Sequence, residues 1–352
     1  MPKFKNILIV NLGGIGDFLL STPAIRTLRR AYPESTLFLL SSPRITQFAK
    51  KLNYIEQVYT FYISYGGRVS FSKILENLST LLKLRKKHFD LAINMRTLYS
   101  KKSAEKIRFL LNVIKPKLKL GRDTEGRGDF FDIKISETNI GQKYEMEYDI
   151  EIVEALGIRV VDRRIDFPIS SEAEDKVNNL LRKEGIESED TLIGLHPGGM
   201  PSRRWPIENF SQVIKEISKR IPFSKFVITG GEDEVNLGEK LTEITEARTL
   251  NLAGKLNIEE LGALIRRCSL YISNDTAPMH IAAVLKRPLI AIFGPGDITR
   301  FDPRNISDKA KVLYKKVDCA PCEKVSCSDL KCLRAINPGE VVDLALHLLE
   351  QN

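Results

Sequence analysis

The run Ile7-Leu-Ile-Val-Asn-Leu-Gly-Gly-Ile-Gly-Asp-Phe-Leu-Leu20 joins four consecutive apolar residues to a glycine loop and then to a second apolar segment. Four apolar residues in a row suit a strand buried on both faces of a parallel sheet. A glycine loop that feeds a helix brings backbone N–H groups to the helix's positive end. The reading is strand, loop, helix, and the same succession returns at Leu192 to Ile214. Two similar nucleotide-fold halves are therefore expected. The other buried strands fit this: Asn6 to Val10, Thr36 to Leu40 and Asp90 to Asn94 in the first half, then Thr191 to Leu195, Lys225 to Thr229, Leu270 to Ser273 and Pro288 to Phe293. Among the helices, Phe210, Val213, Ile214 and Ile217 recur at helical spacing, with Pro206 suited to the first turn.

The length agrees, since 352 residues exceed the roughly 150 of one typical domain. A boundary near Asp166 to Ala173, where a proline and a serine pair precede a new polar helix pattern, gives domains 1–170 and 171–352. With 43% hydrophobic and 28% charged residues the chain is globular, which excludes disordered, collagen-like and coiled-coil classes. No apolar run reaches the roughly 18 residues of a membrane-spanning helix, and Ile7 to Val10 is too short for a signal peptide. A cytoplasmic address is expected.

The net charge of +9 is unevenly placed: residues 1–170 hold 29 Lys and Arg against 18 Asp and Glu, and residues 171–352 hold 25 against 27. Within the first half, Lys83 to Lys119 carries 12 basic side chains against Asp90 and Glu105 alone. Such a density attracts phosphate-rich partners, although a solvated helix face would look the same in sequence.

In the first loop, Gly14 and Gly16 are followed by Leu19 where a dinucleotide fingerprint needs a third glycine, and the second strand ends in Ser41-Ser42 where a ribose-binding carboxylate is wanted. No Gly-Lys-Ser/Thr follows either, so a Walker loop is excluded. Asp17 remains, at a helix start, as a candidate catalytic carboxylate or as a plain helix-end charge. The densest cluster is Ser273-Asn-Asp-Thr-Ala-Pro-Met-His280, four capping-type residues at a strand's end with Pro278 in a helix's first turn. A helix N-terminus of this kind offers N–H donors to a phosphate. Within it, Asp275 alone reads as a cap and His280 alone as a core histidine. His196-Pro-Gly198-Gly199 leads to Arg203 and Arg204, which can neutralise a pyrophosphate beside exposed amides. Trp205, the one tryptophan, reads as packing at the next helix's entry. Gly230-Gly-Glu232 ends a further strand, where a carboxylate can hold ribose hydroxyls.

Taken together, Ile7 to Leu28, Gly194 to Phe210, Thr229 to Glu234 and Ser273 to Pro295 resemble, in order and over nearly the whole chain, the lipopolysaccharide heptosyltransferases of glycosyltransferase family 9. The resemblance implies an α/β GT-B fold: two Rossmann-like doubly wound domains facing a cleft, acceptor half first and ADP-sugar half second. It implies an inverting, metal-independent transfer of heptose from ADP-heptose to the inner core of lipopolysaccharide. No cofactor is then needed beyond the ADP-sugar, no nucleic acid is a partner, and the acceptor is an anionic glycolipid such as lipid A–Kdo. The enzyme would sit peripherally on the cytoplasmic face of the inner membrane, held there in part by Lys83 to Lys119.

Position by position, Asp17 matches the family's catalytic carboxylate, with Gly14 and Gly16 beside the acceptor. Arg203 stands where family members often carry a lysine facing the diphosphate. Asp275, Thr276 and Ala277 match the donor turn, and Glu232 an acidic residue near the ribose. Gly198, Gly199, Arg204 and His280 complete the donor set. Cys319, Cys322, Cys327 and Cys332, within 14 residues, have spacing open to zinc, an iron–sulfur cluster or disulfides. A similar stretch in relatives whose transfer needs no metal implies a structural clip. Two other readings share these motifs: a family 9 transferase of another nucleotide sugar to a different surface glycan, and a non-catalytic binder of nucleotides or glycans. Asp17 and Arg203, retained in opposite halves, favour the enzyme.

Overall fold

Residues 3–63, 69–322 and 324–351 are described by the computed structural model. The chain divides into two units, Met1–Asp166 and Phe167–Asn352, at the start of the stretch Asp166 to Ala173. In the first unit the strands are β1 (Asn6–Asn11), β2 (Thr36–Ser41), β3 (Gln57–Thr60), β4 (Leu91–Asn94), β5 (Leu118–Thr124) and β6 (Ile133–Glu137). Its helices are α1 (Ile15–Ala31), α2 (Pro43–Ala49), α3 (Phe71–Arg85), α4 (Lys101–Ile114) and α5 (Glu145–Glu154). All strand pairs are parallel, in the order β3-β2-β1-β4-β5-β6.

The second unit holds β7 (Leu192–His196), β8 (Lys225–Ile228), β9 (Thr249–Asn251), β10 (Leu270–Asn274), β11 (Leu289–Phe293) and β12 (Ala310–Tyr314). Its helices are α6 (Ser171–Lys183), α7 (Ile207–Arg220), α8 (Val235–Ile244), α9 (Ile258–Arg267), α10 (Ala277–Val284), α11 (Ile298–Phe301), α12 (Lys331–Arg334) and α13 (Pro338–Glu350). This sheet too is parallel throughout, in the order β12-β11-β10-β7-β8-β9. Counted from each unit's first strand, both sheets run 3-2-1-4-5-6. The sequence echo is thus a repeated topology, the doubly wound order of nucleotide-binding folds.

Parallel strands need apolar cover on both faces, and the sequence supplies it. Leu8, Val10, Phe38, Leu40 and Ala92 pack under Leu81 and Leu84 of α3 and Ile107, Leu110, Leu111 and Ile114 of α4. In the second unit, Ile193, Leu195, Ile272 and Ile292 meet Phe210, Val213, Ile214 and Ile217 of α7 and Val341 and Ala345 of α13. Pro206 stands at the N-cap of α7, one place before the expected first turn. Pro23 lies inside α1 and cannot donate to the Leu19 carbonyl one turn back. The Thr22 hydroxyl does so instead, at 2.7 Å. Among the described residues no helix is long and apolar enough to cross a membrane.

In a doubly wound sheet the chain leaves its first strand in one direction and returns to the other side of it, so the crevice at those strands' carboxyl ends is where ligands bind. Here the first unit's switch point lies after β1 and β4, and the second's after β7 and β10. Asp17 follows β1, Arg203 and Arg204 follow β7, and Asp275 to Ala277 follow β10.

Candidate active site

At the first switch point the loop from β1 is stapled by short polar bonds. Asn11 Oδ1 accepts from Gly13 N–H at 3.2 Å, and its Nδ2 donates to Ser21 Oγ at 2.9 Å. Gly14 is the N-cap of α1 and Asp17 its third residue. Gly14 N–H donates to Asp17 Oδ2 at 2.8 Å, so the capping role expected of a helix-end carboxylate is real. The other oxygen is used differently: Arg96, just past β4, pairs with Asp17 Oδ1 at 2.8 Å. Gly13 must be small, because a Cβ there would come within 2.8 Å of Asp17 Oδ2 and 3.0 Å of Arg96 Nε. Gly14 thus serves Asp17 directly, and Gly16 sits in the first turn beside it.

Arg96 belongs to a buried ionic cluster that the sequence did not disclose. It lies 3.4 Å from Glu145, which also pairs with the fully buried Arg122 at 3.0 Å. Arg122 further binds Thr97 Oγ1 at 2.7 Å and Asp149 Oδ1, and lies over the Tyr148 ring. Asp149 Oδ2 in turn accepts from Ser21 Oγ at 2.6 Å, closing the circuit to the β1 loop. Burial opposes the charge on Arg96, but Asp17 and Glu145 outweigh it and raise its pKa, so the guanidinium stays protonated. For Asp149, burial together with neighbouring Glu145 pushes the carboxyl up to about 6, against the pull of Arg122. Such networks hold only when each member is satisfied.

At the second switch point the loop from β7 folds around Glu234, the third acid of Gly230-Gly-Glu232-Asp-Glu234. Its carboxylate accepts from Gly199 N–H at 2.5 Å and from Gly231 N–H at 2.8 Å. A Cβ on Gly198 would overlap that carboxylate. Gly199 has φ +117° and passes beside Thr276, a backbone path that favours glycine. Arg204 donates from Nε to Gly199 O at 2.8 Å and approaches Glu234 at 3.8 Å. Glu232, the carboxylate expected near the ribose, is exposed in the short turn before α8. Three acids in a row gave no sign of which would turn inward.

Arg203 pairs with Asp275 Oδ2 at 2.8 Å, and Asp275 is almost wholly buried. A Cβ on Gly296, from the loop after β11, would overlap this carboxylate and stand 3.4 Å from Arg203 Cζ. Thr276 caps α10, whose first residue is Ala277, with Pro278 following. Asn274 ties the two loops together, donating to Pro197 O at 2.8 Å and Gly198 O at 3.0 Å while accepting from Trp205 N–H at 3.2 Å. Trp205 is buried edge-on against Phe210 and donates to Ile336 O at 3.3 Å, a packing role. His280 is buried and lies edge-on to Phe301. His196, buried beneath the loop, bonds Thr229 Oγ1 at 3.1 Å. Burial lowers its pKa, with Glu234 opposing and Arg204 adding to the drop.

The segment carrying the four clustered cysteines braces this loop from behind. Ser202 N–H donates to Val325 O at 3.2 Å, its hydroxyl to Lys324 O, and Cys322 N–H to Pro295 O at 3.0 Å. Cys319, Cys322, Cys327 and Cys332 all line one recess of about 690 Å³ with Ser202 and Pro295. All four are free thiols. Among the described residues no three His, Cys, Asp or Glu are set to hold a metal ion.

Comparison with known proteins gives the family and the fold. Residues 78–333 match the model of glycosyltransferase family 9 (heptosyltransferase). The chain is 25% identical over 348 residues to lipooligosaccharide heptosyltransferase 2 of Campylobacter jejuni subsp. jejuni serotype O:2, covering 96% of each chain. It is 29% identical over 290 residues to lipopolysaccharide heptosyltransferase 3 of Escherichia coli K12, covering 80% of each. Its fold is that of the solved E. coli ADP-heptose lps heptosyltransferase II, with a TM-score of 0.74 at 21% identity, over 98% of this chain and 99% of that one. The two parallel six-stranded sheets with their flanking helices are the two Rossmann-like halves of a GT-B fold.

Proposed function

Since the chain belongs to glycosyltransferase family 9 and is a glycosyltransferase, we propose that it transfers heptose from ADP-heptose to the inner core of lipopolysaccharide, with inversion at the anomeric carbon. The donor is that named for the E. coli ADP-heptose lps heptosyltransferase II of like fold, and the acceptor class that of the heptosyltransferase relatives. The observation that carries the reading is Asp17, a carboxylate at a switch point with one oxygen on Gly14 N–H and the other on Arg96.

In the reaction an acceptor hydroxyl attacks the anomeric carbon as the bond to the ADP oxygen breaks. Asp17 takes the hydroxyl proton as the carbon–oxygen bond forms. Negative charge grows on the leaving β-phosphate and is met by Arg203, by Arg204 and by the α10 N-terminus at Thr276 and Ala277. Arg203 exchanges part of its pairing with Asp275 for the phosphate, and two guanidiniums do there what a divalent cation would otherwise do. Glu234 shapes the donor loop, and Glu232 is the exposed acid at hand for ribose hydroxyls. The basic stretch Lys83 to Lys119 draws the anionic glycolipid and its membrane surface.

Mass spectrometry after incubation with ADP-heptose and lipid A–Kdo acceptors, with and without EDTA, tests this. A heptosylated product of inverted configuration, formed equally with EDTA, is expected. Absence of product, retained configuration, or loss of activity on chelation would each overturn the corresponding part.

A further inference from the structure

Helix α3 carries one broad apolar face, and only one edge of it meets the core. Leu81 and Leu84 are buried against the sheet and α4. Phe71, Ile74, Leu75, Leu78 and Leu82 are 74%, 50%, 51%, 48% and 49% exposed. At about 100° per residue these five fall within one arc of roughly 100°. A surface helix ordinarily shows a single apolar stripe, turned inward. Five large side chains on one exposed stripe form the contiguous kind of patch that marks an interaction site rather than scattered surface residues. The helix is fixed in place: Asn77, on its inner side, donates to Tyr62 O at 2.9 Å and accepts from Tyr62 N–H at 2.8 Å.

Charge tells what covers the stripe. The helix ends in Lys83, Arg85, Lys86 and Lys87, and α4, packed beside it, exposes Lys101, Lys102 and Lys106 around an exposed Phe109. The acids of these two helices are already engaged, Glu76 with Lys73 at 2.8 Å and Glu105 with Arg108 at 3.3 Å. A second copy of the chain docking by the same face would set these lysines against their own counterparts, which disfavours a symmetric dimer. An anionic lipid surface meets both demands, taking the stripe among its acyl chains and the lysines among its headgroups.

We infer that α3 lies in the membrane interface, its Phe71–Leu82 stripe embedded and its basic end among anionic headgroups. The inference rests on the membrane-face reading above for its partner, and adds insertion to attraction by charge.

Co-sedimentation with vesicles of phosphatidylglycerol and phosphatidylcholine, against phosphatidylcholine alone, tests it. The doubly substituted Leu75→Ser, Leu78→Ser chain should lose roughly 10- to 100-fold in partition to the mixed vesicles. That loss should persist in high salt, whereas the loss caused by Lys83→Glu with Lys86→Glu should fade there. In a separate variant, Leu78→Trp fluorescence should shift to the blue on vesicles and be quenched by brominated acyl chains. Wild-type partition in the serine variant, no binding by the wild type, or an unshifted Leu78→Trp would overturn insertion. So would a dimer that the serine variant dissolves, since a second copy would then be the partner. Turnover on a water-soluble acceptor should be unchanged in the serine variant. If the wild type shows no turnover, the transfer reading fails while the vesicle result still decides this one.

Discussion

Replacing Asp17 by Asn separates the two roles its position gives it. An amide oxygen can still accept from Gly14 N–H, which Asp17 now does at 2.8 Å, so the helix start survives. The ion pair with Arg96 is lost, and it is largely buried, with the two side chains 13% and 20% exposed. Removing one partner of a buried pair costs about 3 to 5 kcal/mol when the other charge is left alone. Arg96 is not stranded, since Glu145 stays 3.4 Å away. The expected cost is therefore lower, about 1 to 3 kcal/mol, a melting shift of roughly 2 to 12 °C for a unit of this size. Catalysis should suffer far more: removing a general base costs about 100- to 10,000-fold, or roughly 3 to 5 kcal/mol of barrier. Asp17→Ala should match that loss in rate and destabilise by a further 0.3 to 1.5 kcal/mol or so for the missing cap. Turnover of ADP-heptose, thermal unfolding and calorimetry of ADP binding together decide it, with ADP affinity expected to hold in both variants. Turnover within about threefold of wild type in Asp17→Asn would leave the carboxylate only its capping role.

Three other substitutions probe the rest of the architecture. Arg203→Ala should weaken ADP binding by roughly 1.5 to 3 kcal/mol, a charge-assisted contact in a desolvated site; unchanged affinity by calorimetry would remove it from the donor site. Gly198→Ala should displace the Glu234 carboxylate that its Cβ would overlap, lowering melting by about 1 to 3 kcal/mol in stability and ADP affinity with it; a variant with wild-type melting and affinity would show that the clamp is dispensable. Asp149 has its folded pKa raised from 3.8 to about 6, so it contributes stability fully below about pH 4 that is lost as pH rises through 6. Asp149→Asn removes that titration, and the stability advantage of wild type over variant in denaturant should shrink by up to about 3 kcal/mol between pH 4 and 7; a growing advantage would refute the assignment.

Central strands and loop glycines were readable because their chemistry is extreme. β1, β2, β4, β7, β10 and β11 are short apolar runs fully enclosed by the sheet, and their loops carry Gly, Pro and capping residues that few other structures require. β5, Leu118-Lys-Leu-Gly-Arg-Asp-Thr124, is a strand built around a charge, because Arg122 points into a buried cluster of carboxylates. Neither run length nor alternation signals such a strand. β6 and β9 lie at sheet edges and β3 has four half-exposed residues, so their burial patterns are weak. Arg96, Arg122, Glu145 and Asp149 escaped notice for a related reason: they are ordinary charged residues 53 positions apart at most, made a unit only by the fold. The stripe on α3 was not legible in the sequence, since only the fold shows which part of the helix's broad apolar face the core covers.

The repeated topology also sets a charge pair at the same point of each unit, with the signs that the proposed transfer asks for. In each unit the loop after the first strand meets the residue just past the fourth strand across the switch point, and in each they form a guanidinium–carboxylate pair at 2.8 Å. The signs are exchanged. In the first unit the carboxylate, Asp17, lies on the loop and the arginine, Arg96, past the fourth strand, whereas in the second Arg203 lies on the loop and Asp275 past the fourth strand. Past the fourth strand the partner is the more buried member in both cases, Arg96 at 13% against Asp17 at 20% and Asp275 at 2% against Arg203 at 12%. The loop member is therefore the more exposed of each pair. Under the proposed transfer, one scaffold thus offers a carboxylate on the first unit's loop to take a hydroxyl proton and a guanidinium on the second unit's loop to meet a diphosphate, each paired with an oppositely charged and more buried neighbour.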